Sequence, residues 1–118
     1  MTQPTKSVGP LFDLAAVDAE LRQDASYARE GHTARTLVRE TELRVVLVVM
    51  RAGARIAEHR AKDTASVQTL AGHVRLRLPD EIADLPVGRL LVLERGIAHD
   101  VEAVADSAFL LTLGWTPK

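Results

Sequence analysis

The sequence predicts an all-β domain, built as an antiparallel sandwich or barrel and preceded by one short helix. From Thr33 onward, short apolar runs alternate with turn residues to the end of the chain. At least seven of these runs have the length and composition of strands. A helical pattern of apolar residues occurs only near the N terminus. Closely spaced strands of this kind bury their apolar faces most naturally in two packed sheets or a closed barrel.

The length and composition indicate one folded domain. At 118 residues the chain has room for a single core. Hydrophobic residues make up 47% and charged residues 26%, a balance typical of globular rather than disordered proteins. The first ten residues are polar and contain two prolines. We therefore expect residues 1–10 to form a flexible tail and residues 11–118 to form a single domain.

No segment has the pattern of a secretory signal or of a membrane helix. The N terminus lacks the apolar stretch that a signal peptide needs. The longest apolar run, Val45 to Met50, has six residues, whereas a helix that spans a bilayer needs ~20. We expect a cytoplasmic protein that has no membrane partner.

Composition and motifs exclude several kinds of chemistry. The chain has no cysteine, which rules out disulfides, thiolate metal sites and a cysteine nucleophile. A net charge of -1 and an aromatic content of 3% argue against binding to nucleic acid. The motifs GxSxG, GxxxxGK[ST], GxGxxG and HExxH are all missing from the sequence. Serine nucleophile and nucleotide chemistry are therefore not expected.

The predicted helix begins after Asp13, whose side chain can cap it. Leu14, Val17 and Leu21 follow at helical spacing, and the pattern ends within residues 24–26.

The most apolar strand is predicted over residues 43–51, where valines dominate a run that ends before Gly53. Branched side chains without polar alternation favour a strand buried on both faces, and therefore a central one. The other predicted strands cover residues 33–38, 66–70, 73–78, 82–85, 89–94, 99–104 and 108–115.

Glycine and histidine recur at fixed spacing in two segments of this β-rich region. In the first segment, five residues separate Gly53 from His59, and Gly72 follows later. The second segment contains Gly96 and His99. It begins with a glycine at position 88, and fifteen residues lie between this glycine and Gly72.

These segments resemble the two motifs of the cupin superfamily. The first family motif runs Gly, five residues, His-x-His, three or four residues, Glu, six residues, Gly. The second runs Gly, five residues, Pro-x-Gly, two residues, His, three residues, Asn. The resemblance covers residues 53–103 and implies a small RmlC-like jelly-roll barrel of antiparallel strands.

The chain departs from the family where the family binds metal. The resemblance implies that three histidines and a glutamate would hold a transition metal, and His59 and His99 occupy two of those four positions. Ala61 stands in the second histidine position and Ala65 in the glutamate position. Neither methyl group can donate a lone pair, so the metal motif is incomplete.

Other polar side chains near the motifs do not complete the site by simple geometry. Gln68 lies three positions from Ala65 along a predicted strand, so alternation places it on the opposite face. Asp63 lies in the loop between the two alanines and is interpreted as a solvated carboxylate. We expect His73 to face solvent with the arginines that follow it, and His32 lies outside both motifs.

Four cations surround the first motif and could draw an anionic ligand to the barrel mouth. Alternatively, they form a solvated rim balanced by neighbouring carboxylates. The four are Arg51, Arg55, Arg60 and Lys62.

Three functions remain open. The preferred hypothesis is a small-molecule binding module with His59 and His99 in its cavity, because alanines in two ligand positions leave volume for a ligand. The second is a metal-dependent cupin enzyme, such as a dioxygenase or isomerase, that uses both histidines and a third group. Fewer than three protein ligands rarely hold a metal firmly, so any divalent transition metal is expected to bind weakly.

The third hypothesis is a non-catalytic interaction module. The resemblance and an unpaired sheet edge make a homodimer the expected assembly.

Overall fold

The structure is a computed structural model that describes residues 8–114. This part of the chain contains two helices and nine strands. They are α1 (Leu14–Leu21), α2 (Ala25–Glu30), β1 (His32–Arg39), β2 (Leu43–Met50), β3 (Arg55–Arg60), β4 (Ala65–Ala71), β5 (His73–Arg77), β6 (Ile82–Pro86), β7 (Leu90–Leu93), β8 (Ala98–Ala103) and β9 (Ser107–Gly114).

The strands form two antiparallel sheets, which confirms the predicted all-β class. One sheet has five strands in the order β1-β2-β9-β4-β7. The other has four in the order β3-β8-β5-β6. Their inner faces pack together, and both sheets contribute buried side chains to the same core, including Val48, Val67, Leu76, Val101 and Phe109.

The second strand is central, as its valine-rich sequence predicts. It pairs with β1 on one side and β9 on the other. Alternation turns Val48 and Met50 into the core between the sheets and sends Leu47 and Val49 to the other face beneath the helices. All four side chains are buried.

The predicted helix forms, although it ends earlier than the sequence pattern suggests. The Asp13 carboxylate accepts a hydrogen bond from the Ala16 N–H at 3.2 Å and caps α1. Val17 and Leu21 are buried against the outer face of the five-stranded sheet. The helix stops at Leu21 rather than within residues 24–26.

Two elements were missing from the prediction. The six-residue helix α2 contains no buried residue, so it lacks the apolar periodicity that signals a helix. Gly31, at φ 82°, ends it. Strand β3 lies at an edge of its sheet, and only Ile56 of its six residues is even partly buried. Neither segment carries an apolar pattern, because neither contributes much to the core.

Parts of two predictions lie outside the described residues. The expected tail, 1–10, is described only from residue 8 onward, where residues 8–10 are exposed and irregular. The last predicted strand was to reach residue 115, and the described strand runs to Gly114. In residues 8–114 no helix is long and apolar enough to cross a membrane.

Candidate functional site

The two histidines of the motifs meet in the four-stranded sheet. His59 on β3 is the direct cross-strand partner of His99 on β8. Their ring centroids are 4.3 Å apart, and the rings meet edge to face at 63°. Edge-to-face contact is one of the arrangements that aromatic rings prefer.

A β-bulge turns His59 toward the interior. Ile56 pairs with Val101 and His59 pairs with His99, so three steps along β3 match two steps along β8. In a regular strand, side chains three positions apart point to opposite faces. The extra residue places Ile56 and His59 beside the same cavity.

Backbone carbonyls fix the tautomer of both rings. Nδ1 of His59 lies 3.1 Å from the carbonyl oxygen of Ala57. Nδ1 of His99 lies 3.1 Å from that of Ile97. A carbonyl oxygen can only accept, so each Nδ1 carries the proton. In the neutral rings each Nε2 is therefore left with a lone pair.

The two rings differ in burial, and His99 is the more deeply placed. Its exposed fraction is 6%, whereas His59 is exposed. Burial is the main cause that lowers the pKa of His99, and the charge that His59 can carry lowers it further. The Ile97 carbonyl and the Asp100 carboxylate oppose this shift. Because the pKa of His99 lies below its ordinary value of 6.5, the ring is neutral at neutral pH, and its Nε2 is a hydrogen-bond acceptor.

The histidines open onto a cavity of about 380 Å³, within the ~300–1,000 Å³ common for ligand pockets. Both alanines of the first motif, Ala61 and Ala65, line it. The methyl groups therefore stand beside His59 and His99, as the motif spacing predicts. Three leucines complete the apolar wall, namely Leu93, Leu111 and Leu113.

Among residues 8–114, the side chains at the mouth of this cavity carry more positive than negative charge. Arg44, Arg60 and Lys62 line it together with one carboxylate, Asp63. Arg60 is held in place, since its Nη1 donates to the Gly96 carbonyl at 2.8 Å. The surplus of cations favours an anionic occupant.

Behind the histidines lies a second, apolar chamber of about 230 Å³. It shares His59, His99 and Leu111 with the first cavity. The remaining lining side chains are aliphatic or aromatic, from Ala34, Val46, Val48, Ile56, Val67, Leu76, Val101 and Phe109. The two rings thus lie between a charged mouth and an apolar interior.

The structure separates the predicted rim cations into two groups. Arg60 and Lys62 line the cavity. Arg51 instead stacks over the Tyr27 ring at 5.6 Å, and Arg55 faces Glu102 at 3.8 Å. Only half of the predicted cluster therefore belongs to the site.

Sequence reasoning missed Arg44, although a signal for it was present. Arg44 shares its strand face with Val46 and Val48, both of which pack against the core. Strict alternation along β2 therefore points Arg44 inward.

The other candidates lie where alternation places them, apart from Asp63. Ala65 and Val67 are buried on the inner face of β4. Gln68 follows Val67 directly, so alternation places its side chain on the other face. Asp63, interpreted as a solvated carboxylate, lines the cavity mouth. It is partly buried, so it contributes to the charge of the site.

His73 is engaged on the outer face of the four-stranded sheet. Its Nε2 lies 2.9 Å from Oδ1 of Asp84, and Arg75 Nε donates to the same oxygen at 2.9 Å. Arg75, and then His73, hold the pKa of Asp84 below its ordinary value. This cluster is separate from the cavity, as is His32 at the start of β1.

The donor set does not fit a metal centre of the family type. Within the described residues, no group of three or more histidine, aspartate or glutamate side chains is placed to hold an ion. His59 and His99 offer one Nε2 each, and the alanines at positions 61 and 65 offer nothing. Zinc and similar ions in proteins usually have at least three protein ligands.

No protein-family model matches the chain, and no curated protein is significantly similar to it. Solved structures do match in fold. A conserved protein of unknown function from Streptococcus pyogenes has a TM-score of 0.69 and 24% identity, over 76% of this chain and 79% of that one. An RmlC-like cupin from Shewanella frigidimarina has a TM-score of 0.68 and 16% identity, over 75% and 80% of the two chains.

An enzyme structure is also similar. Salicylate 1,2-dioxygenase from Pseudoaminobacter salicylatoxidans, in adducts with gentisate, has a TM-score of 0.77 and 17% identity. The match covers 86% of this chain but 32% of the dioxygenase, so this chain spans about a third of that enzyme. At such identities the similarity is one of fold. Together with the two antiparallel sheets, it shows that the chain folds as a small cupin domain.

Proposed function

We propose that this cupin domain binds a small organic anion in the cavity beside His59 and His99. The proposal is supported by one observation, which is that an open cavity lies beside positively charged side chains. Alanines at positions 61 and 65 leave the cavity unfilled next to the rings. Of the described side chains that line it, three are cations and one is a carboxylate.

The charge distribution supports binding of a carboxylate at the mouth. An anion there would meet the side chains of Arg60 and Lys62, which line the cavity. Guanidinium groups hold carboxylates with two parallel hydrogen bonds, which gives both affinity and orientation.

The apolar chamber supports an organic body on the ligand rather than a bare inorganic ion. Burying apolar surface contributes roughly 25 cal/mol per Å². A ring or branched chain that enters between Ile56, Val67 and Phe109 would gain this contribution. The similar structure of salicylate 1,2-dioxygenase was determined in adducts with gentisate, which is an aromatic carboxylate.

Isothermal titration calorimetry with benzoate, its hydroxy derivatives and short branched carboxylates tests the proposal. At least one of these should bind, and Arg60→Ala and Lys62→Ala should each weaken binding about tenfold, the effect of a lost charge-assisted hydrogen bond. Arg29→Ala is the matched control, because Arg29 lies on α2 and pairs with Glu30 at 3.4 Å. Equal losses in the control and in the cavity variants would refute the proposal.

A homodimer is proposed as the assembly. Leu90 and Val92 are 56% and 57% exposed on the outer face of β7, at the edge of the five-stranded sheet. A second copy of the chain could cover the same surface by two-fold symmetry. Light scattering after gel filtration should give twice the chain mass, and Val92→Lys should reduce it to one. Ile82→Lys, which changes an equally exposed side chain on β6, should leave the dimer intact.

A further inference from the structure

We infer that His59 and His99 act as a pair of hydrogen-bond acceptors, and that the ligand is a hydroxy-substituted carboxylate. This inference rests on the proposed anion site and adds the second functional group of the ligand. It follows from the ring tautomers and from the polar groups that the cavity supplies.

Each Nε2 is available to a ligand. Nδ1 of both rings donates to a carbonyl of its own strand segment, from Ala57 and Ile97 respectively. Within residues 8–114, neither Nε2 makes a hydrogen bond to another residue. With the ring proton on Nδ1, each imidazole presents the lone pair of Nε2 to the cavity.

The mouth of the cavity and the histidine rings favour different functional groups of a ligand. The cations at the mouth can only donate, so they suit a carboxylate. A carboxylate placed against the rings would meet two lone pairs and be repelled. The group beside the rings must instead donate, and a hydroxyl can do so while remaining uncharged.

The apolar chamber sets the character of the ligand body. Apart from the two histidines, all side chains of residues 8–114 that line it are apolar. The ligand therefore has a carboxylate at one end, a hydroxyl near the middle and an apolar portion that enters the chamber. Hydroxylated aromatic acids and branched hydroxy acids meet this description.

Paired ligands isolate the hydroxyl. The 2-, 3- and 4-hydroxybenzoates are compared with the matching methoxybenzoates and with benzoate by titration calorimetry. A methoxy group keeps the oxygen but cannot donate. At least one hydroxybenzoate should bind ten or more times more tightly than both its methoxy counterpart and benzoate, because a buried acceptor left without a donor weakens binding strongly.

The outcomes separate this inference from the proposed function. Equal binding of hydroxy, methoxy and unsubstituted acids would overturn the inference and leave the anion site standing. Binding by none of them would overturn both. His59→Phe keeps a ring of similar size at an exposed position and removes one acceptor. It should shrink the preference for hydroxyl at least threefold, and an unchanged preference would also overturn the inference.

Nitrogen NMR of the histidine rings provides a test that needs no variant. In the neutral form of both rings the proton should be on Nδ1, and Nε2 should have the shift of an unprotonated nitrogen. Addition of the tightest hydroxybenzoate should move the Nε2 resonances more than those of His73. A proton on Nε2 of either ring would overturn the inference.

Discussion

Ala65 and His99 lie on different sheets, yet both line the same cavity between them. Ala65 is buried on β4 of the five-stranded sheet, and His99 is buried on β8 of the four-stranded one. Ala61 lines the same cavity from the segment that joins β3 to β4. A donor side chain introduced at either alanine position would therefore face the same cavity as the two histidines.

The first prediction restores those donors. The double variant Ala61→His with Ala65→Glu should bind Zn²⁺ or Mn²⁺ more than about 100-fold more tightly than the unmodified chain, since even outer-shell partners of a metal can change affinity by that much. Competition with a chromophoric chelator measures the gain. Ala61→His with Gln68→Glu is the control, because position 68 lies on the other face of β4. Equal affinity in the two double variants would contradict the placement of Ala65.

The second prediction concerns the unequal structural roles of the two histidines. His99→Ala should lower the free energy of unfolding by about 1–3 kcal/mol, because it opens a cavity and removes the donor to the Ile97 carbonyl. His59→Ala should change it by less than about 0.5 kcal/mol, as expected for an exposed side chain. Urea denaturation measures both values. Equal losses would contradict the difference in burial.

The third prediction is a dependence of stability on pH. The pKa of His99 is lowered in the folded protein from its ordinary value of 6.5, mainly by burial. Between the folded and the unfolded pKa, the unfolded chain binds one proton more than the folded chain. The contribution of His99 to stability is therefore fully present above about pH 6.5 and is lost as the pH falls toward the folded pKa. Urea midpoints measured from pH 8 to pH 5 should decrease over this window. His99→Gln should flatten the slope, and a slope that is unchanged would assign it to other groups.

The fourth prediction contrasts two glycines at turns. At Gly72, where φ is 76°, an added Cβ would overlap the Asp106 carbonyl oxygen and the Ser107 hydroxyl. Gly88, at φ 94°, has open space around it. Gly88→Ala should therefore cost about 1–2 kcal/mol of unfolding free energy for the backbone conformation alone. Gly72→Ala should cost clearly more, and thermal unfolding compares the two. Equal costs would show that the β4–β5 turn relaxes around the methyl group.

Much of the fold follows from alternation along the buried strands. Leu47 to Met50 on β2 are buried on both faces, and this pattern identifies a central strand without further information. Strand β3 could not be predicted in this way, because it is an exposed edge strand. Its position in the sheet depends on pairing with β8, which is a long-range contact.

The site was predictable in part for the same reason. The spacing of the motifs identifies His59, His99 and the two alanines, but alternation from Ile56 would turn His59 outward. The bulge that reverses this is not visible in a pattern of residue types. Alternation on β2 does indicate Arg44, whereas the split of the other cations between the cavity and outside partners depends on tertiary contacts such as Arg55 with Glu102.

The decisive experiment is a crystal structure of the protein with the tightest hydroxybenzoate, with anomalous data collected at transition-metal edges. We expect a carboxylate at Arg60 or Lys62, a hydroxyl within hydrogen-bonding distance of Nε2 of His59 or His99, and the ring in the chamber that Ile56 and Phe109 line. A ligand bound outside this cavity would refute the proposed site. So would a fully occupied metal ion with three or more protein ligands between the two imidazoles.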